Sequence, residues 1–456
     1  MLSAWSPQKG STDDGRGLIG LGLAAVAVLL ALVIWVKMPA FVALLVVSIG
    51  TAILSGVPLA ESVGVVTGGI GKTLSSVIVV VGLGAMLGRL IEVSGGADAL
   101  ARYFTEKLGP KKVAAAVTAA AFILGIPVFF DVGFIILAPI VFGFARTAGI
   151  HPMKLGLPVA GTLLTVHVVL PPHPGPVATA ELVGAEIGTV LAWGLPLAAV
   201  TAVGGYFAAK LFKTDAIVLG ESPATEEAPP AENPPGPWTV IGLILLPIVQ
   251  ILLGTGGVLM TEEGSTAHSV LSFVGSAPVA LLTAVLVAWA VVGTQQGWSR
   301  DKGSSVLDSS LPAVAVIIFV TGAGGGFAAV LVESGIGKVL SDLLVSMNMP
   351  LILMAYLLSL ALRASQGSAT VAMLTTAGLL ATPIVEAGLS GTQTALVTIA
   401  IGFGALGLSH INDSGFWIVT KYQGLSVKQG LQTWTVLSTI FSLVGFAATA
   451  AVYALV

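Results

Sequence analysis

The side chains of this sequence that could do chemistry away from water fall in four short stretches. Asp131 stands in Ile126-Pro127-Val128-Phe129-Phe130-Asp131-Val132-Gly133-Phe134, and His173 in Leu170-Pro171-Pro172-His173-Pro174-Gly175-Pro176. Arg363 and Gln366 stand in Leu362-Arg363-Ala364-Ser365-Gln366-Gly367-Ser368-Ala369-Thr370-Val371-Ala372. His410, Asn412 and Asp413 stand in Ser409-His410-Ile411-Asn412-Asp413-Ser414-Gly415-Phe416-Trp417. A guanidinium can grip a carboxylate through charge-assisted, two-pronged hydrogen bonds. Ser368, Thr370, Asn412 and Ser414 suit the hydrogen bonds of a hydroxylated ligand. Prolines and glycines alone could be a mechanical kink. The His, Asn and Asp beside them go beyond what a kink requires. The bland alternative for Asp131 and Arg363 is a buried ion pair that fixes local structure.

The elements that must position these residues are set by composition. The chain has 456 residues, 55% hydrophobic and 9% charged, with a mean hydropathy of +1.01. Soluble domains carry about 25% charged residues, so this chain cannot cover a water-facing surface. It reads as an all-α polytopic membrane protein. A net charge of −3 gives no sign of nucleic acid as a partner, and the absence of cysteine removes disulfides and thiolate metal sites. No cofactor and no metal site is indicated. The apolar run from Leu18 follows a polar head without a small-residue cleavage pattern and reads as a span, not a cleaved signal.

A crossing helix needs about 20 apolar residues, and runs of about 10–14 suggest re-entrant pieces. Spans are expected over 18–36, 39–57, 74–93, a broken 154–182 and 187–212. In the second half they fall over 238–254, 269–293, 311–333, a broken 393–420 and 432–455. Between the third and fourth spans of each half, an amphipathic piece (97–108 and 336–346) precedes two short apolar arms. The arms are 112–126 and 134–146, then 350–362 and 370–386, and each pair is expected to form a re-entrant hairpin. The Pro- and Glu-rich stretch 213–237 can neither span nor pack, so it links a first repeat (1–212) to a second (238–456). Five spans per repeat is odd, so the second repeat must be inverted relative to the first.

Basic residues test this layout independently. One side receives Lys37, Arg102, Lys107, Lys111, Lys112, Arg146, Lys154, Lys210, Lys213, Arg300, Lys302, Lys421 and Lys428. The other receives only Lys9, Arg16, Lys72 and Lys338. The richer side should be cytoplasmic, with the linker there and both termini outside. Arg89 and Glu92 (spaced i, i+3) and Glu333 lie near span ends and read as a local pair and a snorkelling side chain.

Interrupted segments in corresponding places of two halves point to the ligand site of a secondary carrier. Where a helix breaks, its half-helices leave backbone N–H and C=O groups tolerable at depth only if they line a cavity or meet a ligand. Exposed N-termini offer donors and partial positive charge to an anion. The four breaks, two hairpin tips and two interrupted spans, are expected to meet near the midplane.

Three familiar patterns do not hold. Gly68-Gly69-Ile70-Gly71-Lys72-Thr73 has Val66 where a phosphate loop requires glycine, and no soluble strand precedes it. The run Thr321-Gly322-Ala323-Gly324-Gly325-Gly326 suits close backbone approach to a neighbouring element, not a dinucleotide. Gly388-Leu389-Ser390-Gly391 with His410 suggests an intramembrane hydrolase, but Gly and Ser there are ordinary turn formers.

The four motifs quoted at the outset resemble those of the gluconate:proton symporter family, and the similarity runs over nearly the whole chain. The resemblance implies a bacterial inner-membrane carrier for gluconate or a related sugar acid, driven by proton symport. It further implies a place in a larger group of ion transporters that look like homodimers moving a transport domain against a scaffold, an elevator. The family often has Glu where this chain has Asp131. Some members take other small hydroxy acids, and one branch takes D-serine, so a carrier for D-serine or glycerate is the nearest alternative. An anion channel built from the same hairpins is the alternative of another class.

On this reading the ligand is a small organic anion, held by His173, Gly175, Arg363, Gln366, Ser368, Thr370, His410, Asn412, Asp413 and Ser414. Arg363 either contacts the carboxylate or pairs with Asp413 or Asp131. The candidates for proton coupling are Asp131, Asp413 and His173. Asp131 is favoured, because Phe129, Phe130, Val132 and Phe134 offer desolvation without an obvious partner.

Overall fold

Long apolar stretches with no water to satisfy the backbone leave each amide to its own helix. In the computed structural model every regular element is accordingly a helix, with no strand among the described residues. The structure describes residues 12–126, 128–171, 173–220, 222, 233–336, 339 and 349–456. The first half comprises α1 (Thr12–Ile34), α2 (Ala40–Leu54), α3 (Leu59–Val93), α4 (Gly96–Leu108), α5 (Pro110–Gly125), α6 (Phe130–Ala148), α7 (Met153–Val169), α8 (Pro174–Val183) and α9 (Ile187–Ala209). The second comprises α10 (Pro237–Leu259), α11 (Thr266–Gly275), α12 (Ala277–Gln295), α13 (Arg300–Asp308) and α14 (Leu311–Glu333). It continues with α15 (Leu351–Gln366), α16 (Ala369–Glu386), α17 (Gly391–Leu406) and α18 (Ser414–Tyr422). A final segment, Val427–Tyr453, contains a π turn at Leu431–Thr435. Among the described residues nine helices are long and apolar enough to cross a membrane, or up to eleven if each of two bent pairs counts as one span.

Two spans differ from expectation. The segment expected at 74–93 is the second part of the 35-residue α3, which bends by 42° between Ser75 and Ile78. The span expected at 269–293 is divided at Ser276 into α11 and α12. Pro278, in the first turn of α12, lacks the N–H that an unbroken helix would need. The helix α10 begins at Pro237, the last residue assigned to the linker. Residues 221 and 223–232 of that linker, nearly all of the 336–346 piece, and Pro127 and Pro172 lie outside the described residues.

The two glycine runs find each other. A Cβ on Gly325 would collide with Thr73 Oγ1, and one on Gly69 would stand 2.6 Å from Ala329 Cβ, so α3 and α14 pack backbone to backbone. Such contact is how membrane helices associate where hydrophobicity gives no preference. The core lies around the broken helices. Within the segment Met153–Val183, 89% of an apolar 18-residue stretch is buried, against 33% of the corresponding stretch of Ile187–Ala209. The broken span α7–α8 is thus kept from lipid, which could not satisfy the polar groups at its break.

Candidate functional site

In the first half, α5 ends at Gly125 and α6 starts at Phe130, with Asp131 in its first turn. The span α7 stops at Val169 because Leu170 turns extended and prolines follow, and α8 restarts with Pro174 at its first position. His173 bridges the two breaks: its Nε2 lies 2.9 Å from the Gly125 carbonyl oxygen. A carbonyl only accepts, so Nε2 carries the hydrogen and the neutral ring keeps Nδ1 as an acceptor. The ring of His173 stands 4.8 Å from that of His167, and both lie 5.8 Å from Phe129. The caps of α6 and α8, Phe129 and His173, make no side-chain hydrogen bond to their helices. Asp131 has no hydrogen-bond or ion-pair partner among the described residues, yet it lies within electrostatic range of Asp413 and Arg363.

The second half is built differently. Arg363 is buried near the end of α15; Nη1 donates to the Gly367 carbonyl and Nη2 pairs with Asp413 Oδ2. Asp413 caps α18 by accepting from the Gly415 amide at 3.1 Å and takes a further hydrogen bond from Ser409 Oγ. Ser409 in turn accepts from Trp434 Nε1 at 2.7 Å. His410 Nε2 and Asn412 Nδ2 donate to one carbonyl, Ala364, at 2.8 and 2.9 Å. Asn412 Nδ2 also reaches Ser365 O at 3.1 Å. His410 therefore does at the second break what His173 does at the first: it caps the C-terminal carbonyls of the arm before the tip.

Two residues at this tip adopt left-handed backbone. Gly367 has φ +75° at the end of α15, and a Cβ there would collide with the backbone oxygen of Asn412. Only glycine satisfies both demands. Leu408, in the break after α17, has φ +52°, rare for a branched residue, and its amide is held by Thr439 Oγ1 at 3.1 Å.

The two halves meet at the tips. A Cβ on Gly175 would stand 3.2 Å from Met373 Sδ and 3.6 Å from Thr370 Oγ1, joining α8 to α16. A Cβ on Gly415 would stand 2.9 Å from the Phe130 ring, joining α6 to α18. Four helix N-termini (α6, α8, α16 and α18) thus begin at connected breaks, and Asp131, His173, Arg363, Gln366, Thr370, His410, Asn412 and Asp413 belong to the same assembly. Ser368 is occupied in capping α16, accepting from the Val371 amide at 3.3 Å. Ser414 makes no side-chain hydrogen bond among the described residues. His167 was not among the expected site residues. Its signal was available, since an ionisable side chain inside an apolar span is a functional candidate by default.

Other ionisable residues stay outside this assembly. Arg89 pairs with Glu92 at 3.2 Å near the end of α3, and Glu333 is exposed. Ser390 is the N-cap of α17 in a reciprocal capping box with Gln393, while His410 lies beyond the other end of that 16-residue helix. A helix of that length spans about 24 Å, so no Ser–His pair forms. Among the described residues no group of His, Cys, Asp and Glu could hold a metal. What the arrangement can do is bind: helix N-termini offer donors, and buried side chains keep polar atoms without partners.

The model of the GntP family permeases matches residues 18–456. The chain is 51% identical to the inner membrane permease YgbN of Escherichia coli (strain K12), over 96% of this chain and 99% of that one. It is 37% identical to a gluconate permease of Pseudomonas aeruginosa, over 93% and 94% of the two chains. To the Gnt-II system L-idonate transporter of Escherichia coli it is 32% identical, over 92% and 96%. The YdaH transporter of Alcanivorax borkumensis superposes with a TM-score of 0.44 at 14% identity over 86% of each chain. The chain belongs to the GntP family of permeases: it is a multi-pass membrane protein of the permease class and not an enzyme.

Proposed function

We propose that this permease carries gluconate or a related small hydroxy-carboxylate across the bacterial inner membrane by proton symport. The two halves act as inverted repeats, each with a re-entrant hairpin (α5–α6, α15–α16) and an interrupted span (α7–α8, α17–α18). These hairpins and broken spans move together as an elevator body against the remaining helices, in a homodimer. The linker 213–237 is cytoplasmic and both termini lie outside. One observation carries the reading: four helix N-termini begin at mutually connected breaks beside buried polar side chains. Relatives named for gluconate and L-idonate support the substrate class.

The expected binding set is His173, Gly175, Arg363, Gln366, Ser368, Thr370, His410, Asn412, Asp413 and Ser414. Within it, the substrate carboxylate is drawn to the uncapped N-termini of α6 and α8, where Gly175 between two prolines offers the one first-turn amide of its helix that lies between residues lacking an N–H. Asp131 occupies the first turn of α6, so its ionised form repels an arriving carboxylate and its protonated form does not. That antagonism makes anion and proton bind together, which is symport.

Purified protein in proteoliposomes with an alkaline lumen should concentrate labelled gluconate, and a protonophore should collapse the gradient. Equilibration without accumulation would instead identify a channel. Orientation is checked by single cysteines at Glu262 and Asn233, both exposed. An impermeant maleimide applied to whole spheroplasts should label the first and not the second; the reverse pattern overturns the topology.

A further inference from the structure

The second-half tip holds several buried polar atoms, most of them acceptors, that have no partner among the described residues. Asn412 is held with its Nδ2 on two carbonyls, and rotating the amide would set Oδ1 against them, so Oδ1 is the free atom, and it has no partner. His410 donates through Nε2, which leaves its buried Nδ1 as an unpartnered acceptor. Gln366 is 3% exposed, makes no side-chain hydrogen bond, and buries Oε1 without a partner. These three residues are neighbours: His410 and Asn412 share the Ala364 carbonyl, and Gly367, next to Gln366, stands against Asn412. Thr321, 3% exposed with an unpartnered hydroxyl, precedes Gly324 by three residues and shares its helix face, where Gly324 meets the Asn412 backbone oxygen. Buried acceptors left empty are costly, and a concentration of them calls for a guest that brings donors.

Resting on the carrier reading above, we infer that Gln366, Asn412, His410 and Thr321 form the hydroxyl-recognising end of the site. The substrate then lies with its polyol tail toward the second half and its carboxylate toward the first. Arg363 spends one N–H of each Nη on Gly367 and Asp413, and its buried Nε has no partner among the described residues, so it offers this end of the site a donor for a hydroxyl oxygen. Hydroxyls donate where a carboxylate cannot, so the acceptor cluster rejects the anionic end and sets the direction of binding. It also sets selectivity: a site built for substrate hydroxyls rejects an analogue lacking them far more strongly than an apolar pocket rejects an extra group.

The test uses the full-length protein and two acids of equal length, gluconate and 2-hydroxyhexanoate, which keeps the carboxylate and loses the distal hydroxyls. Wild type should prefer gluconate by about 100-fold or more, as expected for several buried hydrogen bonds. Gln366→Met removes an atom with no partner, so the ligand-free melting temperature should hold or rise while the preference shrinks by about tenfold. Thr321→Val should act in the same direction. Thr370→Val, at the junction with Gly175, should weaken both acids alike. A fall in the ligand-free melting temperature of both Gln366→Met and Thr321→Val would assign those groups to structure and overturn the inference, as would full retention of the preference in both variants. If wild type binds neither acid, the substrate reading itself fails and the inference with it. Binding of gluconate without any preference leaves the carrier reading intact and overturns only the inference.

Discussion

The two halves of the site have the same elements and opposite degrees of completion. In the second half, both helices that restart at breaks are capped by side chains, Ser368 for α16 and Asp413 for α18. Arg363, Asp413, Ser409 and Trp434 there form one continuous chain of hydrogen bonds. In the first half, α6 and α8 restart without a side-chain cap, and Asp131 stands alone in its first turn. Only the latch is common to both: His173 on Gly125 and His410 on Ala364. A carrier that must respond to a proton needs one carboxyl whose charge can change at little structural cost and another that stays committed. Under the proposed symport, those parts fall to the unpaired Asp131 and the paired Asp413. An ion pair needs both charges, whereas a lone carboxyl loses no partner when it is protonated.

The largest effect that could break this contrast is at Arg363. Its pairing with Asp413 is buried, with side-chain exposures of 2% and 4%. Removing one partner leaves the other charge stranded, so Arg363→Met should cost about 3–5 kcal/mol in unfolding experiments in detergent. Adding Asp413→Asn should recover much of that loss. A single variant costing less than about 1 kcal/mol would mean the network is no strut. Next is Gly367→Ala, which combines a left-handed backbone with a backbone collision and should cost about 2–4 kcal/mol. At the first tip, Gly125→Ala meets the end of the Leu163 side chain at 3.1 Å and Val166 at an ordinary 3.5 Å, with no backbone collision, and should be much milder. Comparable losses at both tips would erase the asymmetry.

The latches sharpen the comparison further. His173→Ala leaves the Gly125 carbonyl without its side-chain donor and should cost about 1–3 kcal/mol. His410→Ala leaves Asn412 on Ala364, so its cost should stay near 1 kcal/mol or below. Thermal unfolding of the two variants side by side reads the difference. Asp131→Asn should have the smallest effect on stability, within about 0.5 kcal/mol, because no partner is lost. Its effect on coupling is the opposite: substrate exchange should persist while accumulation driven by a pH gradient disappears. If that variant still concentrates substrate into an alkaline lumen, the coupling role passes to Asp413 or His173.

Most of the helical layout was legible in the sequence, because apolar length and the prolines and glycines that stop helices act locally. The breaks at Pro171–Gly175 and at Ile411–Gly415 were readable on that ground, as was the close packing of the run Thr321–Gly326. Less legible were α3, whose first part from Leu59 packs against α14 although glycines, Glu61 and Lys72 interrupt its apolar run, and the division at Ser276. His167 was overlooked although its position inside an apolar span was a usable signal.

What the sequence by itself determined is where helices run and where they must stop, since those follow from residue size, ring closure and hydropathy over neighbouring positions. It also determined that few polar groups are available at depth. Tertiary structure alone decided which of them are already partnered. Arg363 could have met a ligand, Asp131 or Asp413, and only the approach of α15 to the second break commits it to Asp413. The same approach holds Asn412 and His410 on one carbonyl and leaves their other polar atoms empty. A hydrogen bond requires atoms about 3 Å apart, and residues some fifty positions apart reach that distance only through the packing of whole helices.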